Sequence, residues 1–455
     1  MSNMIEEIKI FSKATDPIYI GTGGYTIGRV DNTIVRDPLN RVPKIPGSSL
    51  AGTWRFYSAL YFQGKWKDLD YTWSKFKRKE DFIKSYIDYL KGKGYHIEDE
   101  EKQKEDLKKA NFRQFILKFR HIFWDIGKKK WKDFWECFEE YKDRETEQDK
   151  EIKQFLDKIY ENMEIIKHSI YSTIYCAGQD ELPQEEIKED DIEKDFIEGH
   201  CGRCIVCKSF GYSKNSNSWQ GILFFSDLEI ILFPVYTRLG TKFITTKEKI
   251  KHLTGNEVKD DEIEYAYEYD KEGNEYINLG WLNIKVKKSE DVNKVYYKLK
   301  DYEFKINEDS TNNDKLNTDE LNSNDKKKNE LNIKAEDIVL VPDKIFNQVV
   351  NANLEVRTSV SIDPITGTAK DGGLFTSEAI PRGTIFYGNI RIFDKSIFDK
   401  GILPTIGDIK NMLLSSKFYF ETLGIGGLTT RGFGRMKVVL DDKDNSDIEG
   451  AQNNG

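Results

Sequence analysis

A chain of 455 residues, 38% hydrophobic and 33% charged, carries enough apolar material for one large or two ordinary domains with a substantial core. Its formal net charge of −8 excludes a global basic field, so any contact with nucleic acid has to come from local patches. No apolar run has the length of a membrane span, and the opening MSNMIEEIKIF lacks a signal pattern, so a cytoplasmic chain without a membrane partner is expected.

Residues 4–20 predict a first strand, since IEEIKIF and PIYIG alternate or run apolar with β-branched residues. The stretch 21–55, GTGGYTIGRVDNTIVRDPLNRVPKIPGSSLAGTWR, follows. Its glycines, Gly23 and Gly24 among them, permit close approach of the backbone to a ligand. Pro46-Gly47 signals a turn, and Ser48 or Ser49 is positioned to cap a helix over 50–62, whose N–H groups suit a phosphate. Arg29, Arg36, Arg41, Lys44 and Arg55 outnumber Asp31 and Asp37 here, reversing the sign of the whole chain.

From about 65 to 199 the writing turns Lys/Glu/Asp-rich with helically spaced aromatics (Phe112, Phe115, Phe119, Phe123), which predicts a helical insertion with its own core and an acidic, exposed final part at 183–199. Compact, motif-like sequence returns at HCGRCIVCKSFGYS (200–213), followed by buried strands around Asp227. Residues 241–300 suggest hairpins of a smaller β element. Residues 285–335 predict a charged, partly disordered loop, and 443–455 a flexible tail. The portion 407–442 reads helix, glycine loop, strand.

Three segments carry chemistry. Five cysteines, three of them in the CxxCxxC run Cys201, Cys204 and Cys207, read as metal ligands rather than a disulfide framework. Such spacing suits structural zinc, with an iron–sulfur cluster as the rival. Cys176, His168 and His200 all qualify as the fourth ligand. The second segment, EVRTSVSIDPITGTAKDGGLFTSEAIPRGTIF (355–386), predicts a β-hairpin turning at Asp363-Pro364, with Arg357, Lys370 and Arg382 giving it positive charge. The third, GIGGLTTRGFGR (424–435), is neither a P-loop nor a dinucleotide fingerprint. Its backbone N–H groups at Gly426 and Gly427, with Arg431 and Arg435, suit a phosphate-rich backbone.

In wording and order these segments resemble the RAMP proteins, the RRM-like subunits of CRISPR effectors. IPGSSLAGTWR is similar to the family's IPGSSLKG-R motif, with Ala51 in place of its lysine, Thr53 at a second commonly basic position, and Arg55 kept. GRVDNTIVRDP looks like the segment bearing the target-cleaving aspartate of type III (Csm/Cmr) backbone subunits, which places Asp31 in that role. The cysteine run with Lys208-Ser209-Phe210-Gly211 and Phe225-Ser226-Asp227 matches the segment after the family's insertion site and supports zinc. Residues 358–376 would be the thumb hairpin, and 424–435 the C-terminal glycine loop.

The resemblance implies an α+β fold: an RRM-like (ferredoxin-like) core over 1–64 and 200–442, with a thumb β-hairpin, a zinc-binding segment and the 65–199 insertion. It implies crRNA, target RNA and other effector subunits as partners, with Ser48, Ser49, Arg55 and the glycine loop on the guide. It also implies target-RNA cleavage by the ribose 2′-OH, with Asp31 as general base or holding a divalent cation such as Mg, and with Arg29, Arg36 or a neighbouring subunit supplying positive charge. A non-catalytic structural subunit, with Asp31 merely capping a turn, is the alternative; a guide-processing endonuclease would need a histidine that the glycine and proline motifs lack.

Overall fold

The computed structural model describes residues 4–23, 30–94, 100–116, 142, 150–162, 169–178, 199–214, 217–254, 266–268, 275–287, 333, 335–395 and 404–441. The chain begins with β1 (Ile5–Ala14), β2 (Lys44–Ile45) and the long helix α1 (Gly47–Lys75), then α2 (Lys79–Gly92), α3 (Glu100–Lys109) and α4 (Lys150–Glu161). After α5 (Ile205–Phe210) come β3 (Gly211–Lys214), β4 (Asn217–Gln220), β5 (Leu223–Phe225), β6 (Leu228–Thr237), β7 (Gly240–Thr245) and α6 (Lys247–Thr254). The strands β8 (Ala266–Glu268), β9 (Tyr276–Leu279), β10 (Leu282–Lys287) and β11 (Ile338–Leu340) lead to α7 (Asp343–Ala352). The last part holds β12 (Glu355–Ile362), β13 (Ala369–Ala379), β14 (Ile385–Phe393), α8 (Ile406–Ser416), α9 (Tyr419–Thr422) and β15 (Met436–Asp441). Among the described residues no helix is long and apolar enough to cross a membrane.

The chain divides into two compact units, one of residues 1–6, 51–224 and 391–417, the other of 7–50, 225–390 and 418–455. The second unit is built on a mixed sheet in the order β15-β1-β14-β6-β7-β11-β8-β10-β9. Its strands follow from their patterns. β1 buries Ile8, Ile10, Ser12 and Ala14 in strict alternation, as a strand covered on one face does. β6 is buried almost continuously, as an interior strand is. It tolerates Pro234 because the β14 partners of β6 end at Leu232, so no ladder bond to β14 is forfeited there. The smaller β element foreseen for 241–300 is not separate. β7 pairs with β11 in parallel, and β8, β9 and β10 extend the same sheet. The pairing is non-local, so no local signal announces it. β12 and β13 form a two-stranded hairpin with Val360 opposite Leu374.

In the first unit, helices α1 to α4 enclose a core of Trp66, Leu69, Trp73, Phe82, Tyr86, Leu107, Phe112, Phe115, Phe155 and Leu156, with further aliphatic residues around them. Trp73 is the centre, in ring contact with Phe76, Phe82, Phe112, Phe115 and Phe155. The core reading of the aromatic stripe thus holds for Phe112 and Phe115; Phe119 and Phe123 lie outside the described residues, as do 183–198, the tail 443–455 and 288–332 of the charged loop. α1 does not stop near residue 62. Leu50, Trp54, Tyr57, Phe62, Trp66, Leu69 and Trp73 make one continuous buried stripe, which carries the helix past the foreseen boundary at 64/65. The first strand, by contrast, ends early, and Ile18 forms only an isolated bridge with Ile380.

Candidate nucleic-acid interface and cysteine cluster

In the sheet unit, three segments distant in sequence are joined by backbone hydrogen bonds. Residues 18–22 pair with 33–35 (Val35 N to Ile20 O, 2.8 Å; Thr22 N to Thr33 O, 3.2 Å) and with the base of the hairpin (Ile380 N to Ile18 O, 2.9 Å). The glycine loop joins the same strip, as Gly427 N donates to Tyr19 O at 3.0 Å and Gly434 N to Pro17 O at 2.9 Å. Arg357, at the hairpin base, donates to Gly432 O at 3.1 Å and lies over the Phe433 ring. The glycine-rich stretch, the hairpin and the C-terminal loop therefore form one connected surface.

Asp31 lies on that surface, exposed, at the foot of the hairpin. Its Oδ2 accepts from the Thr376 amide at 2.8 Å and the Thr376 hydroxyl at 2.9 Å, and its own amide donates to that hydroxyl at 3.1 Å. Asn32 continues the contact, donating to Thr376 O and accepting from Glu378 N, both at 3.0 Å. The Thr376 amide, and after it the Thr376 hydroxyl, hold the Asp31 carboxyl below the usual carboxylate range. Asp31 is thus a fixed anion at neutral pH.

The foreseen cations have diverse fates. Arg36 faces inward: Nη2 meets Glu378 at 2.6 Å, Nε donates to Asn351 Oδ1 at 3.0 Å and Nη1 to Ile34 O at 3.0 Å. That is the geometry of a brace for the hairpin base. Arg357 pairs with Glu355 and Arg435 with Asp16. Lys370 and Arg431 are exposed. The glycine loop also departs from expectation, since the Gly427 N–H offered to a ligand is bonded to Tyr19. A Cβ on Gly426 would stand 2.2 Å from that same carbonyl, so its glycine serves close packing within the chain. Gly24 and Arg29 lie outside the described residues, and Gly23 adopts φ +79° with none of the described residues against it.

Ser48 and Ser49 begin α1, exposed and half-buried respectively, but the carboxylate at the helix start comes from elsewhere. Asp227 Oδ1 accepts from Gly47 N at 2.7 Å, and Lys44 ties Asp227 and Asp37 together at 2.6 and 3.2 Å. A carboxylate from the turn before β6 thus occupies the positive end of the helix, where an anion is most favourable.

The cysteines lie in the helical unit. The sulfurs of Cys176, Cys201, Cys204 and Cys207 are all within 4.8 Å of one another, and Cys201 and Cys207 are 3.9 Å apart. Tetrahedral zinc with Zn–S near 2.3 Å requires sulfurs roughly 3.8 Å apart, so the set fits a single ion. Amides of residues 203 and 204 point at Cys201 Sγ (3.5 and 3.3 Å), and that of Cys207 at Cys204 Sγ (3.5 Å), as they would at thiolates. Donation from its three neighbours pulls Cys176 far down, while burial pushes Cys204 well up. Packed this tightly, the four sulfurs cannot all ionise without a cation between them.

Of the candidates for the fourth position, Cys176 is the one whose sulfur lies beside the other three among the described residues. His200 is not among the four, and its Nδ1 lies 3.0 Å from Arg55 Nη2. His168 lies outside the described residues. Arg55 also donates through Nε to Cys176 O at 2.7 Å, so the motif arginine faces the cysteine cluster. Thr376, Glu378, Asn351 and Asp227 were not foreseen as site residues; the Ser-Asp pair was visible in sequence, but nothing local ties Asp227 to α1.

Comparison with known proteins fits these features. A 109-residue stretch is 33% identical to the CRISPR system Cmr endoribonuclease Cmr4 of Pyrococcus furiosus, covering 24% of this chain and 35% of that protein. A 56-residue stretch is 45% identical to the CRISPR system Cms endoribonuclease Csm3 of Enterococcus italicus, covering 11% of this chain and 26% of that one. The matched stretches thus span about a third or less of these relatives. Among solved structures, oligomeric Cmr4 from Pyrococcus furiosus aligns over 96% of this chain and 98% of its own at 13% identity and TM-score 0.39. A type III-B Cmr-beta chain bound to cognate target RNA aligns over 96% and 97% at 13% identity and TM-score 0.40. These superpositions are too loose to add weight. The model of the RAMP superfamily matches residues 13–172 and 170–437, and the chain belongs to that superfamily.

Proposed function

We propose that the chain is a crRNA-binding backbone subunit of a type III CRISPR effector complex, and that it cleaves the guide-paired target RNA at Asp31. The observation that carries this reading is an exposed carboxylate held ionised and immobile by Thr376 at the foot of a projecting hairpin. The strand order β15-β1-β14-β6, with α1 between β1 and β6 and α8 between β14 and β15, supports an RRM-like core. The hairpin β12–β13 supports the thumb assignment; wedged into the guide–target duplex, it would splay a nucleotide and allow in-line attack by the adjacent 2′-OH. The region 65–199 is read as the insertion, and partner subunits and both RNAs as the surroundings.

A carboxylate whose pKa lies below the usual range is a weak proton acceptor near neutrality. Asp31 therefore fits better as an anion that orients the 2′-OH or holds a cation than as general base. Among the described residues its Oδ1 is the oxygen left for this, since Oδ2 accepts both bonds from Thr376. A divalent ion such as Mg would screen the phosphate there; Mg commonly takes one or two carboxylates and completes its shell with phosphate oxygens and water. Lys370 and Arg431 are exposed cations within the hairpin and the glycine loop, and the guide would lie along their surface. The four cysteines are assigned to structural zinc, a closed set without an open catalytic position.

The same contacts favour a second reading, because a carboxylate engaged by one threonine also ties a turn. Replacing Asp31 by Ala in the assembled complex decides between them. Lost cleavage with target binding intact supports the ribonuclease; unchanged cleavage leaves a structural RNA-binding subunit.

A further inference from the structure

We propose that Arg55 is a positioning residue of the cysteine metal site, fixing from helix α1 the two chain segments that bring the ligands together. This role presupposes the zinc assignment of the four cysteines. Cys176 lies in the short turn Ile174–Ala177, apart in sequence from the run that carries Cys201, Cys204 and Cys207. The ligand set closes only if these two pieces are held in register. Arg55 touches both. Nε donates to Cys176 O at 2.7 Å, and Nη2 lies 3.0 Å from Nδ1 of His200, the neighbour of Cys201.

A guanidinium is a rigid plane with donors at fixed angles, so two contacts from one group set the angle between two segments. The base of the brace is firm. Neighbouring Trp54 is fully buried and donates from Nε1 to Ser416 Oγ at 3.0 Å and Leu413 O at 3.3 Å, which anchors this turn of α1 to α8. The alternative is a phosphate contact, suggested by the motif that Arg55 closes. A bidentate grip on phosphate uses a pair of guanidinium N–H groups on one edge, and the Nε/Nη2 edge is already turned to Cys176 and His200. A permanent positive charge also suits this place, since four thiolates around a dication keep net negative charge.

The test is Co(II) titration of the full-length protein, read by the thiolate-to-cobalt and d–d absorption of a tetrahedral sulfur site. For Arg55→Met the spectrum should keep its tetrahedral form, because every ligand remains, while the affinity falls about 10- to 100-fold, as when other outer-shell partners are removed. Arg55→Lys keeps the charge but not both fixed contacts and should recover only part of the loss. It also carries the test if circular dichroism shows Arg55→Met unfolded. Unchanged affinity in both variants overturns the Arg55 role alone. A wild-type chain that gives no tetrahedral thiolate spectrum overturns the metal assignment and this role with it.

Discussion

Substitution of Gly426 by Ala tests whether the C-terminal loop owes its glycines to packing within the chain. Gly426 has φ +81°, and a Cβ there would meet Tyr19 O at 2.2 Å and Ile20 Cδ1 at 2.6 Å. Gly23 supplies the control, with nearly the same φ of +79° and no atom of the described residues within 4 Å of an added Cβ. Placing a Cβ in the left-handed region costs about 1–2 kcal/mol at either site. At Gly426 the backbone must also retreat by about 1 Å to restore contact distance, which breaks the Gly427 N to Tyr19 O bond, worth about 1 kcal/mol net. We therefore expect Gly426→Ala to lose about 2–3 kcal/mol and Gly23→Ala about 1 kcal/mol less, read as shifted urea midpoints at constant m. Hydrogen exchange at the Gly427 amide should quicken in Gly426→Ala alone. Equal losses in the two variants, with unchanged exchange, would refute the packing argument and return the loop to a ligand-binding explanation.

Thr376→Val keeps the amide donor to Asp31 and removes the hydroxyl, so the Asp31 carboxyl should move up toward the ordinary range near pH ~4, and Thr376→Ser should reverse the change. A carboxylate with a depressed folded pKa contributes stability above its unfolded pKa and loses it as pH falls through the folded value. The acid-dependent loss of stability should accordingly be smaller in Thr376→Val and complete at higher pH, its onset still set by the unfolded carboxyl, with NMR titration of the Asp31 carboxyl in the folded protein checking the upward shift. Asp227→Ala removes the cap from α1 and should cost about 1 kcal/mol in urea unfolding, with Asp227→Asn losing less because an acceptor oxygen remains. Trp73→Ala empties the centre of the helical core and should cost about 3–5 kcal/mol, seen as early loss of helical circular dichroism on denaturation.

The sequence was most legible where one element carries its own periodicity. The alternation of β1 and the helical stripe from Leu50 to Trp73 state which face is buried, and the cysteine run states a ligand chemistry, because these patterns are local consequences of strand and helix geometry. Even the length of α1 is written there, once the stripe is followed past residue 62. The wording of the three motifs was enough to point to the RAMP superfamily.

What needed the fold was every choice between equivalent residues. Sequence left Cys176, His168 and His200 equal as the fourth ligand; only the folded turn at Ile174–Ala177 brings one sulfur within reach of the other three. It offered two serines as the cap of α1, and the chain uses Asp227, 180 residues away. It showed four arginines and Lys44 as local positive charge in the 21–55 stretch, and the fold directs Arg36 to Glu378 and Arg55 to the cysteine turns. Periodicity is a one-dimensional property, so the sequence alone determined which residues must be buried and what chemistry they bring. Partnership depends on distances between segments far apart in the chain, and those are fixed only when the sheet and the helical core close.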